Sequence, residues 1–246
     1  TINHEKLYAC IRRCCMPFIY RTLLLIILTC QVAYADFKSG MAAAQAGDFT
    51  TAYEQWLPLA EQGNTLAQFN VGLLHSKQLI PQASPEEAVK WYLLAANNNH
   101  SHAQFNLGIK YDRGHGVEQN AAEAFNWYFK AANNGHPQAQ LNVANMYRDG
   151  RGVEYDNEKA ATWYQASSIN NVPQAQANLA LLLHLGTGIE KDIIMAYVWA
   201  TLASEAGTRF IAIKELVAEG LSDNDKKKGD EKALEFAERL IEFNDR

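Results

Sequence analysis

The chain has 246 residues, 48% of them hydrophobic, and a formal net charge of −5. Residues 1–35 hold Lys6, Arg12, Arg13, Arg21 and Glu5, so the remainder carries 18 basic against 26 acidic side chains, a net −8 that disfavours a phosphate backbone and argues against a nucleic-acid partner. All four cysteines, Cys10, Cys14, Cys15 and Cys30, precede residue 36, so the body of the protein has no disulfide and is held by packing alone.

The sequence opens on Thr1, and its first methionine is Met16. From Met16 it reads as a secretory signal peptide: a short n-region with Arg21, an apolar run from Leu23 to Leu28, and an Ala33-Tyr34-Ala35 cleavage box. Cleavage after Ala35 would start the mature protein at Asp36 and send it to the periplasm or the exterior. The apolar run is shorter than the roughly 20 residues that span a bilayer, so no permanent membrane span is expected. A lipoprotein site at Cys30 lacks the small residue wanted just before the cysteine, since Thr29 stands there.

Residues 36–206 are a repeat array. The five tryptophans, Trp56, Trp91, Trp127, Trp163 and Trp199, form one ladder with steps of 35, 36, 36 and 36 residues. The same step carries Ala67, Ala103, Ala139 and Ala175; Gln68, Gln104, Gln140 and Gln176; and the glycine pairs Gly114/Gly116, Gly150/Gly152 and Gly186/Gly188. A period in the thirties is the signature of a solenoid whose units are buried only by their neighbours.

Each unit is a helical hairpin. Ala103, Leu107, Gly108 and Tyr111 fall on one helix face, and Ala124, Trp127, Tyr128, Ala131 and Ala132 on a second after a glycine-containing loop. Ser84, Asn120, Asp156 and Asp192, again 36 apart, are expected N-caps of the second helices. Glu87 and Glu123, three residues on from Ser84 and Asn120, complete two capping boxes. Gly72 and Gly108 sit mid-helix, where glycine costs about 1 kcal/mol against alanine; a close crossing that makes room for a ring such as Trp127 or Trp163 would offset this. Lys77-Gln78-Leu79-Ile80-Pro81 replaces the glycine pair in one unit and predicts a different turn, and the single 35-residue step is assigned to a shortened turn at Glu61-Gln62-Gly63-Asn64.

After Gly207 the pattern loosens into an apolar stretch, Phe210 to Val217, and a final helix over about 223–243 with Ser222 as its N-cap. Ala233, Phe236, Ala237, Leu240 and Ile241 line one face of that helix, while Lys226, Lys227 and Lys228 lie elsewhere in a solvated, acid-flanked run. Residues 207–246 are expected to cap the array.

The string Ala103, Leu107-Gly108, Tyr111, Gly114, Gly116-Val117, then Ala124, Trp127-Tyr128, Ala131-Ala132 and Gly135 resembles the Sel-1-like repeat, a relative of the tetratricopeptide repeat. Residues 139–168 repeat the string, and weaker copies run at 67–97 and 175–206. The resemblance implies an all-α, right-handed α/α superhelical solenoid that serves as a scaffold or adaptor, in many members exported by Gram-negative bacteria. Its first helices would line a concave groove for a protein or peptide partner. Some exported relatives staple every repeat with paired cysteines and are linked to peptidoglycan or β-lactam binding. The alternative reading is a peptidoglycan-binding or β-lactam-hydrolysing envelope protein of that kind, although this chain has no cysteine in any repeat.

No nucleophile or acid-base pair stands out from the repeat background, so no enzyme, cofactor or metal is expected. His100, His102, His115 and His136 belong to turns: His136 sits at the repeat position of His100, and Val172 replaces it one unit later. The candidate partner-binding residues are the ladder asparagines Asn70, Asn106, Asn142 and Asn178, with the variable Asp112, Arg113, Arg148 and Asp149 at the ends of first helices. An asparagine amide could hold the backbone of an extended peptide while the charged positions select its side chains. It could equally bond between neighbouring repeats and order the stack.

Overall fold

The computed structural model describes residues 37–244, so the signal-peptide segment lies outside the described residues. Among them every regular element is helical. Helix α1 covers 37–45, followed by α2 (Phe49–Glu61), α3 (Thr65–Ser76), α4 (Pro85–Asn97), α5 (Ser101–Arg113), α6 (Ala121–Asn133), α7 (Pro137–Asp149), α8 (Asn157–Ile169), α9 (Pro173–Leu185), α10 (Ile193–Glu205), α11 (Ile211–Ala218) and α12 (Asp223–Asn244). Packing divides the chain into two compact units at Trp91/Tyr92.

In the first unit, Ala52, Trp56, Leu59, Ala60, Val71, Leu74 and Ile80 form the core, with Trp91 packed against it. Trp56 donates its indole N–H to the Phe37 carbonyl at 3.2 Å, and a Cβ on Gly40 would overlap the same indole. That contact with α1 explains the odd tryptophan step. Helices α2 and α4 start 36 residues apart, at Phe49 and Pro85, and end 36 apart, at Glu61 and Asn97. The turn after α2 is therefore of ordinary length, and Trp56 simply sits one place later in its helix than Trp91 does. The expected short turn is corrected accordingly.

The second unit is built from α5/α6, α7/α8 and α9/α10, with α11 and α12 against the last pair. Its core runs through Tyr128, Val143, Met146, Tyr164, Leu179, Val198 and Trp199. Trp127 and Trp199 are buried and Trp163 half-buried; Trp163 meets Phe129 edge-on at 5.7 Å. Burial of rings on this scale, about 1.5–3 kcal/mol each, outweighs the weak helix propensity of the asparagine-rich first helices. Trp199 likewise meets Phe236 of α12 edge-on at 5.6 Å, and Val217, Ala233 and Leu240 are buried on that side.

The caps follow the repeat. Ser84 Oγ, Asn120 Oδ1, Asp156 Oδ1 and Asp192 Oδ1 each accept the backbone N–H three residues on, at 2.9–3.2 Å. The reciprocal half of the capping box does not form. The cap N–H groups of Asn120, Asp156 and Asp192 donate to the carbonyls of Tyr111, Tyr147 and Leu183 across the loop. That of Ser84 donates to His75 Nδ1, at the repeat position of those three residues, while Glu87 pairs with Lys90 at 2.5 Å. The loop closes on the first helix, so the carboxylate has no donor left to take.

Two further expectations change. Gln78 has φ +56, the left-handed conformation of its repeat partners Gly114, Gly150 and Gly186, so the glycine-free loop leaves its helix by the same turn; only its second half, with Ile80 buried, differs. The ring that needs room at Gly108 belongs to Tyr128: a Cβ there would overlap it, and neither Trp127 nor Trp163 is involved.

Candidate functional site

The repeat spacing places one buried glutamine on each first helix. Gln68, Gln104, Gln140 and Gln176 donate Nε2 to a carbonyl at the end of the preceding helix, at 3.1–3.4 Å. Gln104 and Gln140 also accept from Asn134 and Asn170 at the far ends of their own hairpins. All four amides are buried, and those of Gln104 and Gln140 are occupied at both ends.

The half-buried ladder asparagines lie two residues further along the first helices. In the second unit they meet the tyrosines of the second helices. Asn142 of α7 lies beside the Tyr128 hydroxyl of α6 and favours its ionised form against the effect of burial, and Asn178 of α9 does the same beside Tyr164 of α8 while donating Nδ2 to Asn145 Oδ1 at 3.4 Å. Burial drives both phenols to resist ionisation, Tyr164 to about 12 and Tyr128 further. Asn106 occupies the same place on α5, and Asn70 lies on α3 in the first unit.

The charged candidates gather around these tyrosines. Asp112 and Arg113, with Arg151, act on Tyr128, and Arg151 reaches back across 39 residues to pair with Asp112. Arg148 and Asp149 act on Tyr164. They also pair with each other, Nε and one Nη holding both carboxylate oxygens at 2.7 and 2.9 Å. That bidentate hydrogen bond holds the Asp149 carboxyl below the usual range and raises Arg148. The second unit thus presents two polar clusters, one on α5/α6/α7 and one on α7/α8/α9.

Tyr128, Tyr164, Arg151 and Asn145 were not among the residues singled out from sequence. The tyrosines were visible in the tryptophan-tyrosine motif but read as core, and they serve as core and polar partner at once. Asn145 accepts the Tyr164 hydroxyl hydrogen at 2.7 Å; its signal is that the equivalent residues are Leu73, Ile109 and Leu181.

The histidines have a structural task that sequence reading missed. His100 and His136 are N-caps of α5 and α7, accepting the amides of Ala103 and Ala139 through Nδ1 at 3.2 and 3.3 Å. His102 lies edge-on to His136 at 4.9 Å, and Phe105 stacks on His136 at 4.3 Å. Since each Nδ1 accepts, each neutral ring carries its proton on Nε2, which leaves neither nitrogen free to ligate a cation. Among the described residues no group of three or more histidine, cysteine, aspartate or glutamate side chains is placed to hold a metal ion. None of the described helices is long and apolar enough to cross a membrane.

The family model of the Sel1 repeat matches four times, at residues 65–100, 101–136, 137–171 and 173–208. Among solved structures, a Sel1 repeat protein from Oxalobacter formigenes is 27% identical, with a TM-score of 0.70 over 84% of each chain. A protective antigen of uropathogenic Escherichia coli that displays an SLR fold is 22% identical, with a TM-score of 0.53 over 85% of this chain and 60% of that one. Comparison with curated proteins returns no match.

Proposed function

Because the chain belongs to the Sel1 repeat family, whose helical-hairpin arrays are generally non-catalytic scaffolds for protein interaction, we propose that it is an adaptor of the bacterial envelope or exterior, binding an extended segment of a partner protein. The partner lies along the first helices of the second unit, where Asn106, Asn142 and Asn178 recur and Asp112, Arg113, Arg148 and Asp149 choose its side chains; Asn70 holds the same repeat position in the first unit.

The observation that supports this most is a contrast between two sets of amides. The glutamines are sealed in the interior, whereas the asparagines are half-buried beside charges that change from one repeat to the next: Asp112-Arg113, then Arg148-Asp149, then His184-Leu185. A constant polar row flanked by varying charge is what a peptide-binding face requires, since backbone amides repeat and side chains do not. Asn178, bonded to Asn145 at 3.4 Å, is also held in place before a ligand arrives, which lowers the entropy cost of binding. Export rests on Met16–Ala35, and a periplasmic reporter fused after Ala35 tests it: an inactive fusion overturns the envelope assignment.

The test of the binding face is affinity capture from envelope and culture fractions, with the mature protein beside a variant carrying Arg113→Ala, Arg148→Ala and Asp149→Ala, matched for helicity. A partner lost only by the variant supports the reading. A partner held equally by both moves the site off the first helices, and capture of nothing removes the adaptor function.

A further inference from the structure

Repeat arrays hide their specificity in positions that break the repeat, and the column Leu73, Ile109, Asn145, Leu181 contains one such break. Asn145 sits on α7 between the two helices that follow it. Its Oδ1 accepts from the Tyr164 hydroxyl of α8 at 2.7 Å and from Asn178 Nδ2 of α9 at 3.4 Å. These contacts fix the amide, for in the flipped orientation its Nδ2 would face the Asn178 donor. Asn145 Nδ2 is left with no partner among the described residues.

The rest of the cluster has the same polarity. Arg148 donates to Asp149 at both carboxylate oxygens and lies near enough to Tyr164 to act on its hydroxyl. What remains available to a ligand is a set of donors, Asn145 Nδ2 and the outer guanidinium hydrogens of Arg148, around a half-exposed pair. The cluster around Tyr128 is built differently: Ile109 supplies no donor, and Asp112 stands there with its charge directed to Arg151. Each place holds one carboxylate paired with an arginine; what the first has and the second lacks is the neutral donor of Asn145, where Ile109 stands in the other.

Resting on the peptide-binding reading above, we propose that Asn145 determines specificity on the first-helix face and, with Arg148, receives the carboxylate side chain of an aspartate or glutamate in the bound segment. The neighbouring asparagines grip backbone without regard to sequence; Asn145 reads one side chain. Charge-assisted bonds to two donors favour glutamate over glutamine at that point by roughly tenfold.

Fluorescence anisotropy decides it, using the purified chain and pools of labelled twelve-residue peptides, acetylated and amidated so that no terminal charge competes, with Glu, Gln or Lys at the central position. The expected result is tightest binding by the glutamate pool. Asn145→Leu, which restores the residue of the other repeats, and Asn145→Asp, which keeps the shape and reverses the outer polarity, both erase that preference while leaving the glutamine pool bound. Tyr164→Phe, which frees the amide to turn, weakens the preference in the same direction; melting temperatures confirm that each variant is folded. Pools that bind without favouring glutamate, or a preference that survives Asn145→Leu, overturn the role of Asn145 and leave the peptide-binding reading standing. If no pool binds, both fall together.

Discussion

Asn134 donates its side-chain N–H to Gln104 Oε1 at 2.9 Å across thirty residues of sequence, while the other end of the Gln104 amide donates to the Ala96 carbonyl at 3.1 Å. One side chain therefore joins the end of one hairpin to the end of the next. Gln140 does the same between Ala132 and Asn170. The glutamine column is polar because it works as a seam.

Gln104→Leu keeps the volume and removes both hydrogen bonds, leaving the Ala96 carbonyl and the Asn134 amide to find other partners. Loss of roughly 1–3 kcal/mol is expected, read as a lower urea midpoint. An unchanged midpoint would mean that the seam carries no stability.

The two glycines of a hairpin loop are not equivalent. Gly150 and Gly152 both have positive φ, +63 and +74, but a Cβ on Gly152 would overlap the carbonyl of Ala121 in the preceding hairpin, whereas at Gly150 the nearest atom would be Tyr155 Cβ at 3.5 Å. Gly150→Ala should cost about 1–2 kcal/mol for the left-handed backbone alone. Gly152→Ala adds a steric cost of about 1–3 kcal/mol. Thermal melts that place the two substitutions in the opposite order would refute this.

Gln78 holds the same left-handed turn without being glycine. Gln78→Gly is expected to raise stability by about 1 kcal/mol, measured as a higher melting temperature. A fall would indicate that the glutamine side chain contributes something to the folded loop.

His100 and His136 cap their helices only as neutral rings. Burial holds both below the ordinary histidine range, His136 at about 4, and His102 pushes each further in the same direction. A folded-state value below the unfolded one means that the unfolded chain binds the extra proton. The contribution is therefore fully present above pH 6.5 and is lost as the pH falls from 6.5 toward 4. Because the rings are half-exposed, solvent screening limits the loss to the order of 1 kcal/mol. His136→Asn, which retains a capping oxygen, should flatten this part of the stability-versus-pH curve, and chemical denaturation at pH 7 and pH 5 measures it.

The period of 36 was enough, by itself, to give helical hairpins, their order and the acceptors that start each second helix, because caps and apolar faces are local and the same residues recur wherever the same geometry does. Sequence also picked out Asn142, Asn178, Arg148 and Asp149 among its eight candidates, without grouping them. It could not say that Tyr128 and Tyr164 join them, because a tyrosine at a core spacing looks the same whether its hydroxyl is idle or bonded. Nor could it tell that Gly108 makes room for Tyr128, that His75 replaces a carbonyl in closing its loop, or that Arg151 belongs with Asp112. Those are contacts between residues 9 to 39 apart. They depend on how the two helices of a hairpin lie against each other and, for Arg151, on how one hairpin lies against the next, which is fixed by the packing of rings and the direction of helix axes and is written in no single stretch of chain.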